Sequence, residues 1–510
     1  MTGSSSQHSG DASAHAAAHA EKASFKSDKP SLKKVLSLWD LFIIAFGATI
    51  GTSWALLVGT WIMHGGGPLP TMYAFLLVTL ILIPVGAAFS ELTAAMPVAG
   101  GIVEHVHRAF GELPSFICGW FLLLSNAIIC PWEAIVISRL LSTQLSQFPI
   151  FSWLTSIKLY TILNTDIYLW PVLISVGCCL FVLNRNLRGV IPEARLSSFL
   201  SKTLLIGMAI VIISTLSVGS ETNALPTFAS VPDIASHTPV ALSLPHGIVA
   251  VLALAPFYYA GFDTITMHAE EAAQGLNWSK FGKVISLAII ATGCFYLVCI
   301  YSFGTILPWR EFIQHADPAF HALKHFNIHV YTVMLFIVIF GSLGPMNAFL
   351  AASARIAYAL AKRHQLPALL AHIDDEGHVP NVAYYLLILL TLIGPFLGHV
   401  LLTPLTSIAS AGFIFSCLMS SYACLYLRFK EPDLARPYRV PAGKIGITIS
   451  CINSTLLFIF IALPLVSSSL SALDWLFVLF WTFVGFGLRK LAQNAYYDPL
   501  PPDGRGINGR

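Results

Sequence analysis

Long apolar segments follow one another along most of this chain, and short polar breaks separate them. Each segment is close to the roughly 20 residues that an α-helix needs to cross a bilayer. The pattern therefore predicts about twelve membrane-spanning helices. Their expected limits are 38–63, 70–95, 114–142, 167–184, 197–219, 244–269, 283–307, 330–361, 382–400, 403–428, 445–466 and 471–488.

The composition agrees with this pattern. Hydrophobic residues make up 56% of the chain and charged residues only 10%, which is too little charge to cover a soluble protein of 510 residues. The nine cysteines lie in apolar segments without metal-binding spacing, so we expect neither a disulfide framework nor a metal site. The fold class is therefore all-α integral membrane, with the lipid bilayer as partner and no nucleic acid.

The two ends of the chain are polar. Residues 1–35 are rich in Ser, Ala, His and Lys and predict a disordered tail, and 491–510 predict a second tail around a domain at 36–490. No apolar run follows the charges of the first tail, so it is not a signal peptide. Placing the amino terminus inside puts 23 of the 28 lysines and arginines on that side. The bias predicts that both termini are cytoplasmic.

The first apolar segment is interrupted near its middle by poor helix formers. Gly47 and Gly51 lie four residues apart, and Thr52 and Ser53 follow. A broken helix at membrane depth is tolerated only where it lines a cavity or is buried in protein. A half-helix that begins here would favour an anionic ligand. The alternative is a close helix-packing face of the Gly-x-x-x-Gly type.

The sixth segment carries a second interruption. Pro256 removes a backbone donor, Gly261 loosens the helix, and Asp263 places a carboxylate at membrane depth. Matching interruptions in two halves are typical of inverted-repeat transporters, in which the binding site lies between the repeats. The expected repeats are five helices at about 38–219 and five at about 244–428, with two peripheral helices at about 445–488.

Short motifs recur along the chain in a characteristic order. They are Gly47-Ala48-Thr49-Ile50-Gly51, Phe89-Ser90-Glu91-Leu92, Met96-Pro97-Val98-Ala99-Gly100-Gly101, Tyr259-Ala260-Gly261-Phe262-Asp263, Ser353-Ala354-Arg355 and Arg436-Pro437-Tyr438-Arg439-Val440-Pro441. Their order and spacing resemble the amino acid–polyamine–organocation permease superfamily over about residues 36–490.

The resemblance implies secondary active transport of amino acids or related amines. In such families free amides of the first span meet the substrate carboxylate, and free carbonyls of the sixth span meet its amino group. The substrate-binding residues implied here are Thr49, Ile50, Gly51, Thr52, Ser53, Phe257, Tyr258, Ala260 and Gly261. Some proton-coupled relatives also carry a fifth-span lysine where others bind sodium. Lys202 lies near that place, and the alternative is a lysine that extends to the cytoplasmic surface.

The other ionisable residues in apolar segments have several interpretations. Glu133 in the third span is a candidate for substrate binding, for proton transfer or for a structural hydrogen bond. Asp263 is expected to stabilise the unwound helix, and it is also a candidate coupling residue. Glu91 and Glu271 are expected to anchor the ends of the second and sixth spans. His268 can titrate, but we interpret it as a satisfied polar neighbour.

These observations predict a cell-membrane permease that moves amino acids by alternating access and is driven by protons, with no cofactor. An amine or polyamine carrier of the same fold is the alternative, because Glu133 or Asp263 could pair with a cation. A channel would need a continuous polar lining, and the charges here are scattered. A membrane-embedded enzyme would need a catalytic motif, and the sequence has no His-Glu-x-x-His, Gly-x-Ser-x-Gly or phosphate loop.

Overall fold

The computed structural model describes residues 34–146, 153, 156–162, 165–231, 243–315, 317–374, 379–398, 402–463 and 470–497. The α-helices are α1 (Leu38–Thr49), α2 (Ser53–Gly65), α3 (Pro68–Ala95), α4 (Ile102–Phe110), α5 (Glu112–Leu145), α6 (Leu169–Leu187), α7 (Val190–Leu216), α8 (Leu244–Leu254), α9 (Thr264–Met267), α10 (Trp278–Ile306), α11 (Trp309–Phe312), α12 (Pro318–Phe326), α13 (Ile328–Lys362), α14 (Asn381–Thr391), α15 (Ile393–Leu397), α16 (Leu402–Lys430), α17 (Lys444–Ala462) and α18 (Ala472–Tyr497). Short 3₁₀ turns lie at Glu221–Ala224, Ala255–Tyr259, Ala269–Glu271 and Ala368–Ala371. Strands β1 (Lys158–Ile162) and β2 (Thr165–Tyr168) form an antiparallel hairpin.

Apolar helices of membrane length dominate the described part of the chain. Ten helical segments there are long and apolar enough to cross a bilayer. The helices α1 and α2 meet this criterion only as a pair, with a bend of 48° between them. A shorter apolar segment, Asn381–Leu397, holds α14 and α15. The helical membrane architecture is as predicted, whereas the count of twelve spans stays a prediction.

Two features differ from the expected limits or were not expected. The last helix continues to Tyr497, past the expected end at 488, because its polar end still consists mainly of good helix formers. The β1–β2 hairpin was not predicted, and it lies in the connection between α5 and α6. Of the two expected tails, 1–33 and 498–510 lie outside the described residues.

Contacts between the long helices hold the bundle together. The long helix α13 packs against α5 and α7, and α3 packs against α10.

A pair of tryptophans joins the peripheral helix α18 to α5. The rings of Trp120 and Trp481 stack with centroids 4.4 Å apart, and each indole N–H donates to the other residue's carbonyl at 2.8 and 3.2 Å. This reciprocal bonding satisfies both buried donors.

A buried carboxylate holds the end of α3, as the sequence predicts for Glu91. Its oxygens accept two hydrogen bonds of 2.6 Å from Arg428 and one of 2.7 Å from the Val440 amide. Arg436 adds an ion pair at 3.2 Å. One carboxylate therefore joins α3 to the end of α16 and to the segment that follows it.

We expect Glu91→Ala to destabilise the protein strongly, by about 3–5 kcal/mol, because it leaves two arginines without their buried partner. The matched control is Glu431→Ala, which breaks an exposed pair with Arg108 and should cost at most about 1 kcal/mol. Thermal unfolding of the detergent-solubilised protein measures both effects. Equal melting temperatures for the two variants would contradict the structural role of Glu91.

Candidate substrate-binding site

The first interruption lies between α1 and α2, where the sequence predicts it. The last turn of α1 is closed by a hydrogen bond of 2.8 Å from the Thr49 hydroxyl to the Ala45 carbonyl. The Ile50 amide donates to the Phe46 carbonyl at 3.0 Å, so it is not among the free amides that the sequence analysis expects. The amides of Gly51, Thr52 and Ser53 lie at the start of α2, where no preceding helical turn accepts them. The Thr52 amide donates instead to the Glu133 carboxylate.

The second interruption contacts the first. Gly261 has φ = +128°, a conformation that favours glycine, and a Cβ there would lie 2.5 Å from the Thr49 amide nitrogen. The Asp263 carboxylate accepts a 3.0 Å hydrogen bond from the Gly261 amide, which stabilises the turn as expected. The two broken helices therefore meet backbone to backbone.

The carbonyls of the second interruption are partly used within the protein. The Phe257 carbonyl accepts from the Ala260 amide at 3.1 Å, and the Tyr258 carbonyl accepts from the Tyr296 hydroxyl at 2.9 Å. A carbonyl oxygen has two lone pairs, so each of them retains a position for a second donor. The aromatic rings on this segment pack closely, with the Tyr258 centroid 4.7 Å from that of Trp61.

A small cavity with a volume of about 30 Å³ lies between the two interruptions. Seven residues proposed from the sequence line it: Thr49, Gly51, Ser53, Phe257, Tyr258, Ala260 and Glu133. The other three residues proposed from the sequence do not line the cavity: Ile50, Thr52 and Gly261. Five lining residues were not proposed from the sequence: Ala48, Ile129, Trp132, Pro345 and Phe349. A proline inside α13 is a signal that could have identified Pro345.

Among the described residues that line the cavity, Glu133 is the one with an ionisable carboxyl side chain. It is 3% exposed, and its carboxylate accepts a 2.7 Å hydrogen bond from the Thr52 hydroxyl. Ser342 on α13 donates in turn to the Thr52 hydroxyl at 3.0 Å. A carboxylate of the protein therefore lies at the positive end of α2, the position that suits an anion.

Lys202 lies apart from the cavity. Its side chain is exposed on α7, which favours the alternative of a lysine that extends to the membrane surface. Its coupling role stays a prediction. The neighbouring Ser201 is the residue that faces α1, because a Cβ on Gly47 would lie 1.9 Å from the Ser201 hydroxyl oxygen. The sequence alone could not decide which of two adjacent α7 residues points inward.

The amino acid permease family model matches residues 36–487. The chain is a member of the amino acid permease family. This membership confirms the resemblance to the amino acid–polyamine–organocation superfamily seen in the motifs. The protein is therefore a transporter rather than an enzyme, and its apolar helices make it a multi-pass membrane protein.

Several characterised transporters are similar to this permease at low identity. The methylthioribose transporter of Bacillus subtilis (strain 168) is 22% identical, covering 91% of this chain and 94% of that protein. The branched-chain amino acid permease BcaP of the same organism is 23% identical, covering 81% and 85%. The human cystine/glutamate transporter is 25% identical, covering 80% and 74%. Their different cargoes show that the shared architecture does not fix the substrate.

We expect Gly51→Leu to abolish transport while the permease still inserts and folds. A Cβ at this position would lie 2.2 Å from a Glu133 carboxylate oxygen and 3.2 Å from Pro345, so a larger side chain fills the cavity. Substrate uptake into proteoliposomes measures the loss. The control is Gly177→Leu, since no atom lies within 4 Å of a Cβ there. Wild-type affinity and rate in Gly51→Leu would refute the assignment.

If a pH gradient drives uptake, Lys202→Met should retain it, because the side chain is exposed and does not line the cavity. The measurement is substrate accumulation in proteoliposomes under an imposed pH gradient, compared with the wild type. A variant that binds substrate but no longer responds to the gradient would restore Lys202 as the coupling residue.

Proposed function

We propose that this permease is a secondary active transporter of amino acids that works by alternating access at the cell membrane. The observation that carries the proposal is the cavity bordered by both interrupted helices. The positive end of α2, at the amides of Gly51 and Ser53, favours a carboxylate, and carbonyls of the sixth span favour an ammonium group. An α-amino acid carries both groups on the same carbon, so one bound molecule can contact both sets of backbone groups.

The wider architecture supports this proposal. The interruptions at 50–52 and 255–263 lie in the first and sixth apolar segments, as expected for a five-plus-five inverted repeat with two peripheral helices. Rocking of one set of helices against the other would expose the cavity to each side in turn. The distribution of lysine and arginine favours cytoplasmic termini. We propose that a proton gradient drives the cycle.

A second candidate function, amine or polyamine transport, is favoured by Glu133. Its carboxylate already lies at the start of α2, in the place proposed for the substrate carboxylate. If it stays there in its charged form, it repels an anionic group and attracts a cation. An amino acid substrate would require this carboxylate to become neutral or to move away from Thr52.

The two candidates differ in how the permease treats an amino acid and its decarboxylated amine. If the amides of Gly51, Thr52 and Ser53 hold the substrate carboxylate, the amino acid should bind roughly ten- to a hundred-fold more tightly. This corresponds to a loss of about 1.5–3 kcal/mol for one charge-assisted contact. Competition against a labelled amino acid panel in proteoliposomes measures the ratio.

The Glu133→Gln variant gives the matching test of the amine candidate. An amine carrier should lose most of its affinity, because the variant removes the counter-ion from the cavity. Glu112→Gln is the control, since Glu112 lies on the same helix with a side chain that is 65% exposed. Equal competition by the amine and the amino acid, with loss of both in Glu133→Gln, would replace the amino acid proposal with the amine one.

A further inference from the structure

A second group of ionisable side chains is completely buried away from the cavity. It consists of Glu193 at the start of α7, His268 and Glu271 after α9, and Arg355 on α13. Each of these side chains is at most 1% exposed. We refer to these four residues as the ionic cluster.

Arg355 is the centre of the ionic cluster. Its guanidinium donates to both Glu271 oxygens at 2.9 and 2.8 Å and to Glu193 at 3.0 Å. It also donates to the Ala351 carbonyl at 2.8 Å and to the Tyr384 hydroxyl on α14 at 3.3 Å. One arginine therefore satisfies parts of two buried carboxylates and links three helices to the sixth span.

The hydrogen bonds of His268 require a proton that a neutral imidazole lacks. Its Nδ1 lies 2.8 Å from the Thr264 carbonyl oxygen, which can only accept, so Nδ1 carries a hydrogen. Its Nε2 lies 3.1 Å from a Glu193 carboxylate oxygen. If the ring were neutral with its hydrogen on Nδ1, an unprotonated Nε2 would face an unprotonated carboxylate, and neither could donate a hydrogen bond. One further proton must lie between His268 and Glu193.

The charge balance leads to the same result. Two carboxylates and one guanidinium leave one uncompensated negative charge in the ionic cluster, and a proton on the His268–Glu193 pair removes it. A buried net charge is costly in free energy, because the protein interior solvates a charge less well than water does. The titratable or charged groups described around His268 are Glu193, Arg355, Tyr384 and Glu271, and no other cation appears among them.

His105 provides a contrast within the same protein. It is also fully buried, but only its Nε2 faces an acceptor, the Met96 carbonyl at 3.2 Å. Within the described residues its Nδ1 has no partner. A neutral ring is therefore sufficient, and burial lowers the pKa of His105 to about 4. Burial alone does not place a proton on a histidine, whereas the two acceptors around His268 do.

The ionic cluster joins the parts of the bundle that alternating access would separate. The Glu271 carbonyl accepts hydrogen bonds of 2.8 and 3.0 Å from the amides of Val35 and Leu36, just before α1. Glu193 and Arg355 hold the same turn against α7 and α13. The start of the first span and the end of the sixth are thus fixed together at this end of the bundle.

We propose that His268 and Glu193 form a proton-binding site whose occupancy keeps this end of the bundle closed. Release of the proton leaves a buried negative charge between α7, α13 and the sixth span, and this charge favours separation of these elements. The closed form therefore binds one more proton than the open form. Its population falls as the pH rises through the titration of the pair. The site rests on the proposed function only for its role in the transport cycle.

Hydrogen exchange of the full-length permease in nanodiscs, without substrate, tests this site between pH 5.5 and 9. The readout is protection of peptides that contain residues 34–37 and 268–273, after division by the chemical exchange rate. In the wild type the opening equilibrium should increase up to tenfold per pH unit between the midpoints of the open and closed forms, and it should be constant above the midpoint of the closed form. In Glu193→Gln this increase should be lost, because the cluster is neutral without the extra proton. His105→Gln is the control and should behave as the wild type.

The absence of an extra pH dependence in the wild type, or an equal dependence in Glu193→Gln, would overturn the proposal. If Glu193→Gln does not fold, the ¹⁵N spectrum of histidine-labelled wild-type permease decides the question. His268→Gln serves only to assign the signal. The expected result is a His268 ring with hydrogens on both nitrogens, or with its Nε2 hydrogen-bonded to a protonated Glu193, below the midpoint. A ring that stays neutral and lacks an Nε2 hydrogen bond would overturn it. Because no substrate is used, failure of the transport proposal leaves this test unaffected.

Discussion

The two broken helices of this permease contact each other directly through their backbones. Gly261 approaches the backbone of Thr49 so closely that a Cβ would lie 2.5 Å from the amide nitrogen. Interrupted backbone at membrane depth must be buried in protein or border a cavity, because lipid cannot satisfy its polar groups. Here each break covers part of the other, and the cavity forms beside their contact.

Two buried carboxylates of this protein, Glu271 and Glu133, differ in how their negative charge is compensated. Glu271 has a guanidinium bonded to both of its oxygens, so its charge is balanced locally. Glu133 has the Thr52 hydroxyl and the positive end of α2, which are weaker partners than a cation. A carboxylate with such incomplete compensation is suited to exchange partners during a transport cycle. One that is fully paired is suited to hold helices together.

The cavity and the ionic cluster are connected by a short path along the sixth span. Asp263 fixes the turn at Gly261, the single-turn helix α9 follows, and His268 comes directly after it. The turn beside the cavity and the ionic cluster therefore lie only five residues apart along the sixth span, from Asp263 to His268.

The membrane helices, the family and the positions of both interruptions could be predicted from the sequence, because apolar length and helix-breaking residues are local properties. The sequence also placed seven of the cavity-lining residues near one another through the family resemblance. That Ser201 rather than Lys202 faces α1 could be seen only in the folded protein, since neighbouring helix positions differ by about 100° in direction. The fold alone brought Glu193, His268 and Arg355 together, because their distance along the chain carries no information on contact across the bundle.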